Sequence, residues 1–106
     1  MKGTRTVQTN YKVTDLLEEK KIKNTNFLPE GKFTVRLDYP FTKECAFTIS
    51  GPKTSKQLAS AIARKYSEIY KNPGKWGIWG HGIDDLWIES LYVDLKELFI
   101  TVEMGS

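Results

Sequence analysis

The sequence predicts an α+β fold: a two-layer sandwich in which one long amphipathic helix lies on an antiparallel sheet of β-β-α-β-β order. Three observations predict it. Phe33, Val35 and Leu37 alternate with Thr34, Arg36 and Asp38, and Cys45, Phe47 and Ile49 alternate with Ala46, Thr48 and Ser50, the period of strands with one buried face. Leu58, Ala59, Ile62, Ala63, Tyr66, Ile69 and Tyr70 recur at spacings of three and four, which makes one apolar stripe on a helix. Residues 86–93 and 98–104 then form a second hairpin around Asp94–Glu97.

Each element has a local reason. Residues 1–12 are polar and read as a frayed end or an edge strand around Thr4–Thr9. Residues 15–22 read as a short helix, capped by Thr14 or Asp15 and presenting Leu16 and Leu17. Asn24-Thr25-Asn26 breaks that helix, and Pro29-Glu30-Gly31 makes a turn. Pro40, between the first two strands, asks for a connection longer than two residues. Gly51-Pro52 ends the second strand, Thr54-x-x-Gln57 fits a capping box, and Asn72-Pro73-Gly74 stops the long helix. In the following strand Leu86 and Ile88 share one parity while Leu91 and Val93 share the other. A one-residue bulge near Glu89-Ser90 restores a common inward face and turns Trp87 and Tyr92 outward. Two large aromatics on an outer sheet face mark a partner or self-association interface.

Composition bounds the rest. A chain of 106 residues, 40% hydrophobic and 27% charged, is read as one globular domain over residues 1–106. No apolar run approaches the roughly 18 residues of a membrane span, and the first residues lack the apolar centre of a secretory signal, so a cytoplasmic setting without membrane attachment is expected. Cys45 is the only cysteine; it falls on an apolar strand face and reads as a small buried hydrophobe rather than a nucleophile. With one histidine and one cysteine, no metal site is assigned, and no cofactor motif is found. The formal net charge of +3 favours an anionic partner. Lys20-Lys21-x-Lys23 reads as a solvated helix end suited to the helix dipole.

Residues 75–86 gather Trp76, Trp79, the only histidine, His81, the pair Asp84 and Asp85, and three glycines. As a phosphate loop they fail: Gly77-x-x-Gly80-x-Gly82 reverses the dinucleotide fingerprint, and it follows a helix and precedes a strand. Lys75-Trp76-Gly77-Ile78-Trp79 interleaves basic and aromatic residues, yet it lacks the glycine and element order of the ribonucleoprotein motif. Nucleic acid is therefore disfavoured, with single-strand stacking on Trp76 or Trp79 left open. His81 with Asp84 or Asp85 would make a general base. A nucleophile would have to come from Ser90 or Cys45, to which nothing points, so no catalytic residue is assigned. As a ligand loop the segment makes better sense. Glycines admit a close ligand, Trp76 and Trp79 stack on a ring, and His81 with Lys75, Arg64 or Arg36 meets negative charge. The competing reading folds both indoles inward and gives His81 a backbone hydrogen bond.

The run Ile69-Tyr70, Trp76-Gly77-Ile78-Trp79-Gly80-His81 and Asp85-Leu86 resembles a motif of small bacterial and phage proteins, in which an aromatic-Gly-Ile-Trp-Gly-His run precedes an acidic-Leu pair and a short C-terminal hairpin. The resemblance covers about the last half of the chain. It implies the class of small phage proteins that antagonise host defence, some of which sequester nucleotide signals as oligomers. The functional expectation is then a non-enzymatic, homo-oligomeric binding protein. It holds an anionic, ring-containing small molecule such as a cyclic nucleotide through Trp76, Trp79, His81, Lys75, Arg64, Asp84 and Asp85. The alternatives are a protein-interaction module using Trp87 and Tyr92 on the outer sheet face, and a small His81-dependent hydrolase.

Overall fold

A computed structural model describes residues 4–17, 26–80 and 82–105. The chain runs β1 (Thr4–Lys12), α1 (Val13–Leu17), β2 (Asn26–Leu37), β3 (Cys45–Thr54), α2 (Ser55–Tyr70), α3 (Pro73–Trp76), a 3₁₀ turn at Ile83–Asp85, β4 (Trp87–Asp94) and β5 (Phe99–Gly105). The fold is α+β, as the sequence predicts. The five strands form one sheet in the order β1-β4-β5-β2-β3.

The alternations translate directly into an inner face. Phe33 pairs with Ile49, Val35 with Phe47 and Leu37 with Cys45 across the antiparallel β2–β3 ladder. All of these except the half-buried Phe47 are buried. Leu58, Ala59, Ile62, Ala63, Tyr66 and Ile69 of α2 lie buried against them. Each fully buried Leu or Ile contributes about 1.5–3 kcal/mol relative to an exposed one. The capping box forms: the Gln57 amide donates to Thr54 Oγ1 at 3.2 Å and the Thr54 amide donates to Gln57 Oε1 at 2.9 Å.

The bulge in β4 also forms. Ile88 pairs with Met104 and Ser90 with Glu103, so Glu89 is the extra residue. Leu86, Ile88, Leu91 and Val93 are thereby all buried, while Trp87 and Tyr92 are each 38% exposed on the opposite face. Opposite this bulge β1 slips register between Gln8 and Tyr11, where Asn10 adopts a left-handed conformation (φ 52°) that asparagine tolerates.

Four details differ from the expectation. The sheet is mixed, because β5 runs parallel to β2 through the pairs Thr34–Phe99, Val35–Ile100 and Arg36–Thr101. The reason lies in β1: residues 4–12 form a strand that pairs with β4, so the β4–β5 hairpin inserts between β1 and β2 and presents β5 rather than β4 to β2. Pro29-Glu30-Gly31 is not a turn but an irregularity inside β2, where register shifts between Leu28 and Gly31. Gly51 lies opposite it, and a Cβ there would collide with the Pro29 carbonyl. Gly51-Pro52 does not end β3, which continues to Thr54. As an edge strand β3 tolerates a proline that cannot donate to a ladder. Finally α1 starts at Val13, two residues before the expected start, with the Val13 amide donating to the Leu86 carbonyl at 3.0 Å. Lys20, Lys21, Lys23 and the Asn24-Thr25 break lie outside the described residues.

The β4–β5 turn carries a testable strain. Asp94 Oδ1 accepts from the amides of Lys96 and Glu97, both at 3.0 Å, and Leu98 closes the turn at φ 54°. A left-handed leucine costs roughly 1–2 kcal/mol, against about 0.5–1 kcal/mol of extra chain entropy for glycine. Leu98→Gly is expected to raise stability by about 0.5–1 kcal/mol in a urea titration. An unchanged or lowered midpoint would show the turn to be relaxed.

Candidate functional site

The β2–β3 connection (residues 38–44) and residues 71–80 meet at one end of the sheet because β2 ends there and α2 returns the chain to it. The two segments are joined through backbone. The Thr42 and Lys43 amides donate to the Trp76 carbonyl, each at 3.1 Å, and the Trp79 amide donates to the Pro40 carbonyl at 3.0 Å. Ile78 also bridges Phe41. Pro73 starts α3 at a position where no amide donor is needed. Gly77 ends α3 in a left-handed conformation, φ 66°, and a Cβ there would collide with Thr42 Oγ1. The glycine at this position therefore serves a close approach between two chain segments rather than a bound phosphate.

This clasp divides the tryptophans. Trp76 is half-buried, its ring tilted against Phe41 at 6.5 Å with the Lys75 ammonium 5.0 Å from its centroid. Trp79 is 51% exposed and meets Tyr39 edge-on, with ring centroids 5.8 Å apart and planes at 84°. Beneath them Tyr66 is wholly buried; its hydroxyl donates to the Tyr39 carbonyl at 2.7 Å, and Phe41 lies 5.8 Å from its ring. Tyr70 is half-buried.

The residues expected to form one site are spread over several surfaces. Lys75 and Trp76 line a groove of about 200 Å³ with Lys65, Glu68 and Asn72. Arg64 lines a different groove of about 500 Å³ with Lys53, Lys56, Thr54, Gln57 and Ser60 along the exposed side of α2. Arg36 is on the outer sheet face, ion-paired with Glu44 and 5.0 Å from the Phe99 ring. Asp84 and Asp85 are exposed on the 3₁₀ turn. His81 lies outside the described residues. Cys45 is buried, and burial pushes its thiol up from the ordinary value, with Glu68 adding to and Lys65 and Lys75 opposing that shift.

Sequence reasoning missed Tyr39, Phe41 and Thr42, which support residues 76–79 from the β2–β3 connection. The signal was Tyr39-Pro40-Phe41 itself, two aromatics in a segment read only as a linker.

Two phenols, the buried Tyr66 and the half-buried Tyr70, titrate above the ordinary tyrosine range. Burial, then the negative field of Asp85, then Tyr39 and Asp84, pushes the Tyr70 hydroxyl up to about 12, and burial pushes that of Tyr66 higher still. Both phenols ionise near 10 in the unfolded chain. Their neutral forms are thus favoured by folding, and the associated stability is intact below about pH 10 and lost as the pH rises toward 12. Absorbance titration should show Tyr66 ionising only together with unfolding and Tyr70 ionising well above the ordinary tyrosine range; five ordinary titrations in a folded chain would contradict this.

No family model, curated protein or solved structure matches the chain.

Proposed function

We propose that this protein is a non-enzymatic protein-interaction module that binds its partner through the open face of its sheet. One observation carries the reading. Thr6, Tyr92, Thr101, Arg36 and Ala46 form a continuous outward row across all five strands, and every one of them is exposed. Trp87 lies on the same face, with the Lys12 ammonium 5.6 Å from its ring centroid. Both α1 and α2 pack their buried residues on the other side of the sheet. Exposed tryptophan, tyrosine and arginine are the side chains that dominate protein interfaces.

The reading as a small-molecule binder fares less well on magnitude. Ligand pockets run from about 300 to 1,000 Å³ and combine apolar walls with a few polar groups. The groove that holds an indole is only about 200 Å³. The groove of adequate size, about 500 Å³, contains three cations and no aromatic ring. A nucleotide needs an aromatic wall, a cation and sufficient room in one groove. The smaller groove has Trp76 with Lys65 and Lys75 but not the room, and the larger has the room but no ring.

The test is affinity capture from cells with the wild-type chain and with Trp87→Ala, Tyr92→Ala and the groove variant Arg64→Ala, followed by titration of the captured protein. Loss of a central aromatic is expected to weaken binding by at least about thirtyfold, equivalent to about 2 kcal/mol, with Arg64→Ala binding as wild type. Capture that is insensitive to Trp87 and Tyr92 but lost with Arg64→Ala would overturn the proposal. A second copy of this chain is one partner the experiment detects, as a mass above 12.2 kDa in light scattering.

A further inference from the structure

We infer that the free edge of β3 pairs with the β3 edge of a second copy of this chain, antiparallel about a twofold axis at Thr48. The contact lies on the sheet edge and is independent of the open-face reading above. β3 ends the strand order, and among the described residues no strand lies beyond it. The direction of its backbone groups follows from its neighbour. The Thr34 amide of β2 donates to the Leu98 carbonyl, just before β5, at 2.9 Å, and backbone groups alternate in direction along a strand. Those of Phe33 and Val35 therefore face β3, where they meet Ile49 and Phe47. The amides and carbonyls of Ala46, Thr48 and Ser50 are left turned to the open edge. These residues are all exposed, and among the described residues no backbone hydrogen bond beyond the β2–β3 ladder reaches them.

Nothing along this edge guards it. Exposed edges are ordinarily blunted by charge, proline or a bulge. In a chain that is 27% charged, residues 45–52 carry no charge. The β2–β3 register is unbroken from Gly31–Gly51 to Leu37–Cys45. The template stops only at Pro52, which has no amide to offer. The opposite edge is guarded: β1 carries Arg5 and Lys12, its register slips between Gln8 and Tyr11, and Asn10 turns left-handed there.

A second copy is the occupant because the edge is complementary to itself. With Thr48 opposite Thr48 of the second copy, Ala46 lies opposite Ser50 and Ser50 opposite Ala46. Every edge-facing amide then donates and every edge-facing carbonyl accepts. The same register sets the half-buried Phe47 opposite Ile49 on the helix side, an aromatic–β-branched pair of the kind that stabilises sheets. Only small side chains meet on the outer side. The axis is perpendicular to the sheet, so both copies of α2 stay on one side and the open faces join. An isologous contact of this kind closes as a dimer.

The test follows mass and amide exchange of the full chain as its concentration is raised. Light scattering is expected to approach twice 12.2 kDa, while the amides of Ala46, Thr48 and Ser50 slow at least about tenfold. Thr48→Lys sets one ammonium opposite another at the axis, and Thr48→Pro removes the central donor while sparing the ladder to β2. Each is expected to hold the mass at 12.2 kDa with fast exchange at Ala46 and Ser50. Slow exchange at Phe33 and Val35 reports that the variant is folded. Thr101→Lys, the same charge placed on the open face, should dimerise as wild type. A chain that stays at 12.2 kDa up to about 1 mM overturns the inference. So does a dimer without protection at Ala46, Thr48 and Ser50, or one that survives Thr48→Lys. A dimer lost in Thr101→Lys and kept in Thr48→Lys would overturn it too, and would support the open-face reading instead.

Discussion

Tyr66→Ala is expected to cost about 3–5 kcal/mol, the range for removing a large aromatic from a packed core. Tyr66 heads the largest fully buried side chains, and it does two jobs at once. Its ring joins α2 to Phe41 at 5.8 Å, and its hydroxyl donates to the Tyr39 carbonyl at 2.7 Å. Tyr66→Phe separates these jobs. The ring stays, and the Tyr39 carbonyl loses its donor at a cost of about 1–3 kcal/mol. Because residues 38–44 carry the hydrogen bonds to residues 76–79, the loss should spread. Hydrogen exchange in Tyr66→Phe is expected to quicken at the Thr42, Lys43 and Trp79 amides and stay slow in the β2–β3 ladder. A cost under about 0.5 kcal/mol, with exchange unchanged, would show that Tyr66 does not hold the connection.

Gly77→Ala should cost roughly 2–4 kcal/mol. About 1–2 kcal/mol comes from placing a Cβ on a left-handed residue, φ 66°. The remainder comes from Thr42, whose side chain the new methyl meets. Thr42 cannot retreat cheaply, since its amide donates to the Trp76 and Gly77 carbonyls, each at 3.1 Å; each lost bond costs about 1 kcal/mol. Gly80→Ala supplies the control. Gly80 has a similar φ of 73°, but nothing lies within 4 Å of its Cβ position, so only the conformational cost of about 1–2 kcal/mol applies. Combining Gly77→Ala with Thr42→Ala should return most of the difference between the two glycines. Equal costs at Gly77 and Gly80 would mean that the clasp between the two segments is not close-packed.

Much of the scaffold was legible because local pattern and burial agree. The capping box at Thr54, the stripe from Leu58 to Ile69 and the bulge at Glu89 each follow from spacing alone, and each forms. Strand neighbours were less legible, since pairing is a non-local choice. Nothing in residues 4–12 announces that they pair with β4 and so force β5 against β2 in parallel. Pro29-Glu30-Gly31 misled for a related reason: turn chemistry and bulge chemistry use the same residues, and only the partner strand distinguishes them. At the site, the outward aspect of Trp87 and Tyr92 followed from strand parity. The fates of Trp76 and Trp79 did not, because they depend on the connection at Tyr39–Thr42, which no period marks. The expected grouping of Arg64 with the tryptophans failed on geometry, since Arg64 lines a groove that contains neither indole.

The most direct test of the interaction reading is amide and indole shift mapping on the labelled chain with its captured partner added. The shifts are expected to concentrate on the open sheet face, at Tyr92, Thr101, Arg36 and Trp87. Shifts confined to the Lys53–Arg64 groove, or to the groove of Lys75 and Trp76, with Tyr92 and Trp87 unmoved, would contradict it.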